Sequence, residues 1–211
     1  MTAGPSATVA VLGAGSWGTA LAMLLARNGL AVRLWDRDAG HIAAMARQRT
    51  NQRYLPGIPL PDPVAPLAEL GSALAGADFA LIAVPSAGFR AVLKQTRDEI
   101  GASFNLIWAS KGLEPGSGRF LHEVVEEELP GATSIAALSG PSFATEVARG
   151  LPTAVTIASQ DTAYAQRVAE LFHCAQFRAY TSDDVIGVEL GGSIAGCHGP
   201  ERAYGQFPVE R

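Results

Sequence analysis

The stretch ATVAVLGAGSWGTALAMLLARNG, residues 7–29, decides the fold predicted for this chain. It begins with a short apolar run typical of a buried strand and passes directly into a helical pattern. Gly13, Gly15 and Gly18 form G-x-G-x-x-G at the junction. In this context the first glycine permits a tight turn, the second lets backbone approach a pyrophosphate, and the third allows close contact between helix and strand. The stretch therefore predicts a dinucleotide site.

The rest of the chain continues the same alternation of short apolar runs and helical patterns. Strands are expected near 7–12, 31–35, 79–84, 105–109, 134–138, 154–158 and 177–180, and helices near 16–28, 38–48, 66–74, 87–99, 119–129, 142–149, 161–172 and from 184. Runs that are apolar throughout, such as FALIAV and NLIWA, favour strands buried on both faces. We therefore expect an α/β fold, with a doubly wound, mostly parallel Rossmann-type sheet and helices on both faces.

The proline-rich segment 50–63 is expected to be irregular. It contains four prolines and is the longest interruption of the alternating pattern. Its Arg53 and Tyr54 belong either to a simple connection or to the border of a site.

Composition limits the class of protein. The chain has 211 residues, 48% of them hydrophobic, with a net charge of −4, which suits a packed domain and gives no general attraction to nucleic acid. No apolar stretch is long enough for a transmembrane segment, and the first residues do not resemble a signal peptide. Cys174 and Cys197 suggest neither a disulfide framework nor a metal site, and the four histidines share no metal-binding spacing. We expect a protein of the cytoplasm without a metal.

Two adjacent residues give opposite indications about the cofactor. Asp36 lies 23 residues after Gly13 (36 − 13), near the position where an acidic residue takes the ribose hydroxyls of NAD. Arg37 follows, and a guanidinium there would suit the 2′-phosphate of NADP. Either side chain could also be a solvated strand end, so the choice between NAD and NADP stays open.

Three segments end predicted strands at the edge where such sheets bind ligands: AVPSAGF (83–89), WASKGLE (108–114) and LSGPSFA (138–144). Lys111 is one of only two lysines, and a compact charge there would hold a phosphate or polarise a carbonyl. Lys94 has the position of a solvated helix residue. Ser142 is a candidate helix cap, and Phe89 either covers a cofactor ring or belongs to the core.

Several ordered motifs then identify a family. GAGSWGTALA, RYLPG, AVPS, KGLE, LSGPSFATEVARGLPTAV and DVIGVELGG closely resemble bacterial NAD(P)-dependent glycerol-3-phosphate dehydrogenases over about residues 7–192. The resemblance implies a Rossmann-type domain followed by a helical substrate domain. It also implies interconversion of sn-glycerol 3-phosphate and dihydroxyacetone phosphate with NAD or NADP, for phospholipid synthesis.

The resemblance also implies roles for individual residues. Beside the glycines Gly13, Gly15 and Gly18, the implied cofactor contacts are Ser16, Trp17, Arg37, Phe89, Lys111 and Ala144. Lys111, Gly140 and Ser142 are the implied contacts of a small phosphorylated substrate. The family's general base is a lysine on a helix that follows GVELGG, whereas this chain continues as SIAG (193–196). The catalytic residue is therefore unassigned, with Lys111 as a candidate contributor.

These differences suggest a division of the chain. We expect a dinucleotide-binding domain over 1–192 and an irregular tail over 193–211 in place of the helical domain, in a truncated or frame-shifted chain with impaired activity. A divergent tail is the alternative. The other candidate functions are a non-catalytic dinucleotide sensor or interaction module, and a dehydrogenase for another small hydroxy acid. Val185, Ile186, Val188 and Leu190 are expected to form an apolar patch that favours self-association.

Overall fold

The computed structural model describes residues 7–101 and 103–197, the last five as backbone only. The strands are β1 (Thr8–Leu12), β2 (Ala31–Trp35), β3 (Thr50–Asn51), β4 (Leu55–Pro59), β5 (Val64–Leu67), β6 (Phe79–Ile82), β7 (Leu106–Trp108), β8 (Ile135–Ser139), β9 (Thr153–Ala158) and β10 (Phe177–Ser182). The helices are α1 (Ser16–Arg27), α2 (Ala39–Gln48), α3 (Leu70–Leu74), α4 (Ser86–Ile100), α5 (Leu121–Glu128), α6 (Ala144–Arg149), α7 (Thr162–Phe172) and α8 (Val185–Cys197).

Eight strands form one sheet in the order β10-β9-β8-β7-β6-β1-β2-β5. Every neighbouring pair is parallel except β8 and β9, which run antiparallel. The carboxyl ends of β1, β2, β6, β7 and β8 therefore meet at one edge. The predicted mostly parallel sheet is confirmed, and this edge is where ligands of such sheets bind.

Two hydrophobic clusters cover opposite faces of the sheet. Val9 and Val11 of β1 belong to the first cluster, which includes the buried sides of α1, α6 and α7. Ala10 and Leu12 belong to the second, which includes α4 and α5. Alternate residues of β1 thus face opposite layers, so the strand is apolar throughout because both of its faces are covered. The prediction of helices on both faces is confirmed.

The expected irregular segment 50–63 contains regular structure. β3 and β4 form a two-stranded antiparallel sheet, and the following β5 pairs with β2 at the edge of the large sheet. Residues 66–67, predicted as the start of a helix, belong to β5, and α3 begins only at Leu70. Prolines are tolerated in these strands because edge strands leave one row of N–H groups without a ladder partner.

Helix α8 ends later in the chain than the expected start of the irregular tail. It continues to Cys197, five residues past 192, so the prediction of irregular backbone from residue 193 is wrong for 193–197. Residues 198–211 lie outside the described part of the chain. Close packing explains why glycine is accepted in this helix: a Cβ on Gly192 would overlap the Ser139 hydroxyl. Glu189 anchors the same helix by accepting hydrogen bonds from Trp108 Nε1 (2.9 Å) and His122 Nδ1 (2.6 Å).

Within the described residues, none of the helices has both the length and the apolar character needed to cross a bilayer. The same residues contain no group of three histidine, cysteine or acidic side chains placed to hold a metal ion.

Candidate active site

The glycine loop joins β1 to α1 at the carboxyl edge. Gly13 has a φ of 119°, a conformation that favours glycine, and a Cβ there would lie 2.7 Å from the carbonyl oxygen of Ala83. A Cβ on Gly18 would overlap the Gly13 carbonyl oxygen. Around Gly15, by contrast, no atom lies within 4 Å of the position a Cβ would take. Two glycines therefore permit close packing, and the third leaves the backbone open to the cleft.

Side chains from three other segments contact Ala14, the residue between Gly13 and Gly15. Ala14 N–H donates to Asp36 Oδ2 (2.9 Å). The Ala14 carbonyl accepts from Asn51 Nδ2 (2.9 Å) and lies 3.3 Å from His41 Nε2. Asn51 is 1% exposed and also donates to Thr19 Oγ1 (2.8 Å). Sequence reasoning missed Asn51 and His41, because nothing in the local pattern shows that these residues fold back onto the loop.

A cleft of about 550 Å³ opens beside the loop. Its walls come from the glycine loop, the end of β2, the start of α4 and the β3–β4 segment, with lining residues that include Gly15, Ser16, Asp36, Arg37 and Tyr54. Asp36 is half-buried, and its two oxygens accept from the N–H groups of Ala14 and Asp38 (3.0 Å for the latter). Arg37 is exposed on the same wall. The structure thus brings the two residues with opposite cofactor indications into one cleft.

A second group of predicted site residues surrounds Lys111. Its Nζ donates to the Gly140 carbonyl (3.0 Å) and lies 5.6 Å from the ring centroid of Trp17. Ser142 donates to the same carbonyl from its N–H (3.0 Å), with its hydroxyl 3.4 Å away. Burial lowers the pKa of Lys111, since water that would stabilise the ammonium is partly excluded. Trp17, Lys111, Gly140 and Ser142 therefore form one cluster, here called the Lys111 cluster.

An ion-pair network anchors the loop that carries Lys111. Arg90 on α4 binds both carboxylate oxygens of Glu114 at 2.7 and 2.9 Å, and donates to Glu128 on α5 at 2.6 Å. The Arg90 guanidinium, with help from the Ser117 hydroxyl, lowers the pKa of Glu114 to about 2. Glu114 and Glu128 in turn raise the pKa of Arg90. Neither Arg90 nor Glu114 was singled out as a site residue in the sequence.

Two residues differ from the roles first considered for them. Phe89 has no exposed surface and packs edge-on against Trp108 at 6.5 Å between ring centroids, which favours the core position over the cofactor contact that the resemblance implies. Ser142 does not cap α6, because the helix begins at Ala144 with Phe143 at the N-cap, and no side chain caps it. Ala144 is half-buried and packs against the first hydrophobic cluster. Lys94 is exposed, as expected, and lies 3.5 Å from Glu128.

Three buried side-chain atoms have no hydrogen-bond partner among the described residues: Trp17 Nε1, Ser110 Oγ and Ser139 Oγ. All three belong to the Lys111 cluster or precede one of its members in the chain. Buried polar groups are normally paired, so unpaired ones indicate where a polar ligand or water fits. The open space at Gly15 and these polar groups all lie at the ends of β1, β7 and β8 or on the segments that follow these strands.

Comparison with known proteins agrees with this geometry. The family model described as NAD-dependent glycerol-3-phosphate dehydrogenase N-terminus matches residues 8–165. The chain belongs to this family. A glycerol-3-phosphate dehydrogenase [NAD(P)+] of Halorhodospira halophila is 52% identical over 189 residues, which are 90% of this chain and 56% of that protein. One from Thioalkalivibrio sulfidiphilus is 54% identical over 88% of this chain and 56% of its own length.

Solved structures of glycerol-3-phosphate dehydrogenases share the fold. The crystal structure of the Coxiella burnetii protein has a TM-score of 0.84 and 45% identity, covering 89% of this chain and 57% of that one. The resemblance found in the sequence is therefore confirmed, as are the fold and, for the family, a nicotinamide dinucleotide cofactor. The chain spans a little more than half the length of these relatives.

Proposed function

We propose that this chain binds NAD or NADP with the pyrophosphate at the glycine loop. The observation that carries the proposal is the open face of Gly15 at the start of α1, where no side chain caps the helix. The first N–H groups of a helix have no partner within it and attract anions. Gly13, Gly15, Ser16, Trp17 and the packing of Gly18 would hold the pyrophosphate, with the adenosine in the cleft beside them.

The cleft suits both forms of the cofactor. Asp36 is oriented by two main-chain N–H groups, and each of its oxygens keeps a lone pair for a ribose hydroxyl. Arg37, exposed on the same wall, would pair with a 2′-phosphate. The sequence alone left the role of Tyr54 open. This residue lines the cleft and would cover the adenosine half of the cofactor. Ala144 follows Ser142 by two residues, packs against the first hydrophobic cluster and is retained as a proposed cofactor contact.

We further propose that the Lys111 cluster contacts a small phosphorylated substrate, sn-glycerol 3-phosphate or dihydroxyacetone phosphate. When bound, the nicotinamide supplies the hydride chemistry. Lys111 would place its charge between cofactor and substrate oxygen, with the hydroxyl of Ser142 and the main chain of Gly140 orienting the substrate. The general base is unassigned, and Lys111 is a candidate contributor because partial burial brings its pKa closer to neutrality.

In the whole protein, we propose, this site interconverts sn-glycerol 3-phosphate and dihydroxyacetone phosphate and supplies glycerol phosphate for phospholipid synthesis in the cytoplasm. The names of relatives about 50% identical to the chain support this activity. The division into a dinucleotide-binding domain and a separate tail is also a proposal, with the boundary moved to the end of α8 or beyond.

Fluorescence titration tests the cofactor proposal directly. Trp17 and Trp35 lie at the cleft or beside Lys111, so NADH or NADPH should quench tryptophan emission. Addition of sn-glycerol 3-phosphate should then change the emission of the bound nicotinamide, and Lys111→Ala should remove that second change. Lys94→Ala is the matched control, because it removes an exposed lysine that does not line the cleft. A folded chain that leaves both signals unchanged at millimolar cofactor would refute the proposal.

Self-association is a separate proposal about α8. Ile186 and Leu190 are 54% and 48% exposed, whereas Val185 and Val188 pack against the second hydrophobic cluster. The exposed pair supports association through this helix. Sedimentation of the chain and of Ile186→Asp tests it, since the substitution should shift the distribution toward monomer if this face is the contact.

A further inference from the structure

The carbonyl of Ala14 determines where the next N–H group points. In a trans peptide the C=O of one residue and the N–H of the next lie in one plane and point in opposite directions, and no cis peptide occurs among the described residues. Asn51 holds the Ala14 carbonyl from the buried side of the loop. The Gly15 N–H is therefore directed away from Asn51, and Gly15 itself lines the cleft.

The side-chain amide of Asn51 bonds to the glycine loop, to helix α1 and to the β3–β4 segment. Nδ2 donates to the Ala14 carbonyl and to Thr19 Oγ1, and Oδ1 accepts from the N–H of Tyr54 at 3.1 Å. Tyr54 lines the cleft, so one amide connects the glycine loop with the opposite wall. Burial of an amide is costly unless it is paired, and within residues 7–101 and 103–197 these groups pair the Asn51 side chain.

We propose that Asn51 is a positioning residue for the dinucleotide pyrophosphate. It acts through the Ala14–Gly15 peptide and, through Tyr54, sets the distance between the two walls of the cleft. This inference rests on the proposed dinucleotide binding and adds to it a residue that itself touches no ligand. It predicts that changes at Asn51 weaken ligands that carry a pyrophosphate more than ligands that lack one.

The test compares NADH, ADP and adenosine as ligands of Asn51→Asp. The substitution keeps the shape of the side chain and replaces the Nδ2 donor by a carboxylate oxygen facing the Ala14 carbonyl. The repulsion should turn the peptide and misdirect the Gly15 N–H. Loss of a well-placed hydrogen bond to a charged group corresponds to about tenfold to a hundredfold weaker binding. We expect that loss for NADH and ADP and little change for adenosine.

Two further variants separate positioning from stability. Leu55→Val shortens a side chain in β4 that is 2% exposed, directly across the two-stranded sheet from Asn51, and keeps the Asn51 amide itself. It should lower the urea midpoint and leave all three affinities unchanged. Asn51→Ser keeps a donor too short to reach the Ala14 carbonyl and avoids a buried charge. It should repeat the ligand pattern of Asn51→Asp even if that variant folds poorly.

A pH series gives an independent signature. Burial raises the pKa of a carboxyl, so the acid introduced by Asn51→Asp should protonate on mild acidification and regain a donor toward Ala14. The affinity gap to the wild type should narrow between about pH 8 and about pH 5.5. His41 at the same carbonyl, Asp36 on the Ala14 N–H, and the nearby Asp38–Arg53 ion pair are the other titratable and charged groups there. They are present in both proteins, so the wild type measured at each pH accounts for them.

The outcomes are distinct. Selective weakening of NADH and ADP that shrinks at low pH supports the inference. Equal weakening of all three ligands, or unchanged affinities in both Asn51 variants while the wild type binds, overturns it alone. A folded wild-type chain that binds neither NADH nor NADPH overturns the proposed function as well.

Discussion

The site at the carboxyl ends of the strands has two parts, the glycine loop and the Lys111 cluster, and different interactions hold each part in place. At the glycine loop, a buried amide and main-chain groups fix the backbone, and the predicted ligand contacts are N–H groups. Around Lys111, the proposed contacts include the side chains of Lys111 and Ser142. Arg90 joins Glu114, on the loop that carries Lys111, to Glu128 on α5. The first half depends on packing distances, and the second depends on charge.

This difference predicts how each half responds to change. Main-chain N–H groups do not titrate, so ligand contacts at the glycine loop should depend less on pH than those of the Lys111 cluster, and more on a single added methyl group. The Lys111 cluster contains or adjoins the three unpaired buried polar atoms, so its geometry leaves polar groups available to a ligand. It should tolerate small changes in packing better than changes in charge.

The largest expected effect comes from Gly18→Ala. The added Cβ would overlap the Gly13 carbonyl oxygen, so helix α1 must shift away from the loop. Overpacking of this kind costs about 1–3 kcal/mol of stability, and we expect NADH binding to be lost together with it. Thermal or urea unfolding and NADH titration measure the two effects.

Gly15→Ala is the informative comparison for that variant. Its Cβ meets nothing within 4 Å, so unfolding should be unchanged, while NADH binding falls because the methyl group occupies the space proposed for the pyrophosphate. Gly191→Ala, also with open space on α8, should change neither affinity nor fold and should slightly raise stability. Tight NADH binding by Gly15→Ala would contradict the placement of the pyrophosphate.

Lys111→Met should have the next largest effect. It keeps the length of the side chain over Trp17 and removes the charge from a half-buried position. A charge-assisted hydrogen bond to a phosphorylated ligand is about twice as strong as a neutral one, so binding of sn-glycerol 3-phosphate to the NADH complex should weaken about tenfold or more. Calorimetry of the ternary complex measures this, with Lys94→Met as the control. Equal losses in the two variants would indicate a general charge effect.

Arg37→Ala should change cofactor preference more than overall affinity. Removing the exposed guanidinium should weaken NADPH about tenfold, the scale of one charged contact, and leave NADH nearly unchanged. Arg53→Ala is the matched control, since Arg53 pairs with Asp38 at 3.1 Å. The same loss for both cofactors in Arg37→Ala would remove its proposed role at the 2′-phosphate.

The sequence could predict the features that depend on neighbouring residues, and it could not predict those that depend on distant contacts. The strand, glycine turn and helix of residues 7–29 are decided by neighbours in the chain, so their arrangement was predictable. Asn51 was not, because its burial depends on contact with a loop 37 residues away. The strand β5 was missed because its proline, Pro66, is acceptable only in an edge strand, and which strand lies at the edge is a property of the whole sheet.

The spacing of the apolar residues in α4 could have decided between the two roles considered for Phe89. Phe89, Val92, Leu93 and Thr96 are the buried residues of α4, at the spacing of one helix face. That periodicity indicates a core position, whereas the family resemblance suggested a cofactor contact. Arg90, next to Phe89, points to another face and reaches Glu114. A local pattern was thus a better guide to side-chain direction than the motif.

The smallest expected effect is the acid sensitivity of the Arg90–Glu114 pair. Arg90 lowers the pKa of Glu114 from 4.5 to about 2, so the carboxylate binds protons less readily in the folded chain than in the unfolded one. Its contribution to stability is therefore complete above about pH 4.5 and is lost as the pH falls toward 2. For a largely covered but not fully buried pair, we expect a contribution of about 1 kcal/mol or less.

In urea unfolding, Glu114→Gln should be less stable than the wild type at pH 7, and the gap in stability should close between about pH 4.5 and the acid limit of folding. The exposed Glu126→Gln on α5 serves as the control. A gap for Glu114→Gln that stays constant down to pH 3 would show that charge does not hold this loop, and the contrast between the two halves of the edge would fail there.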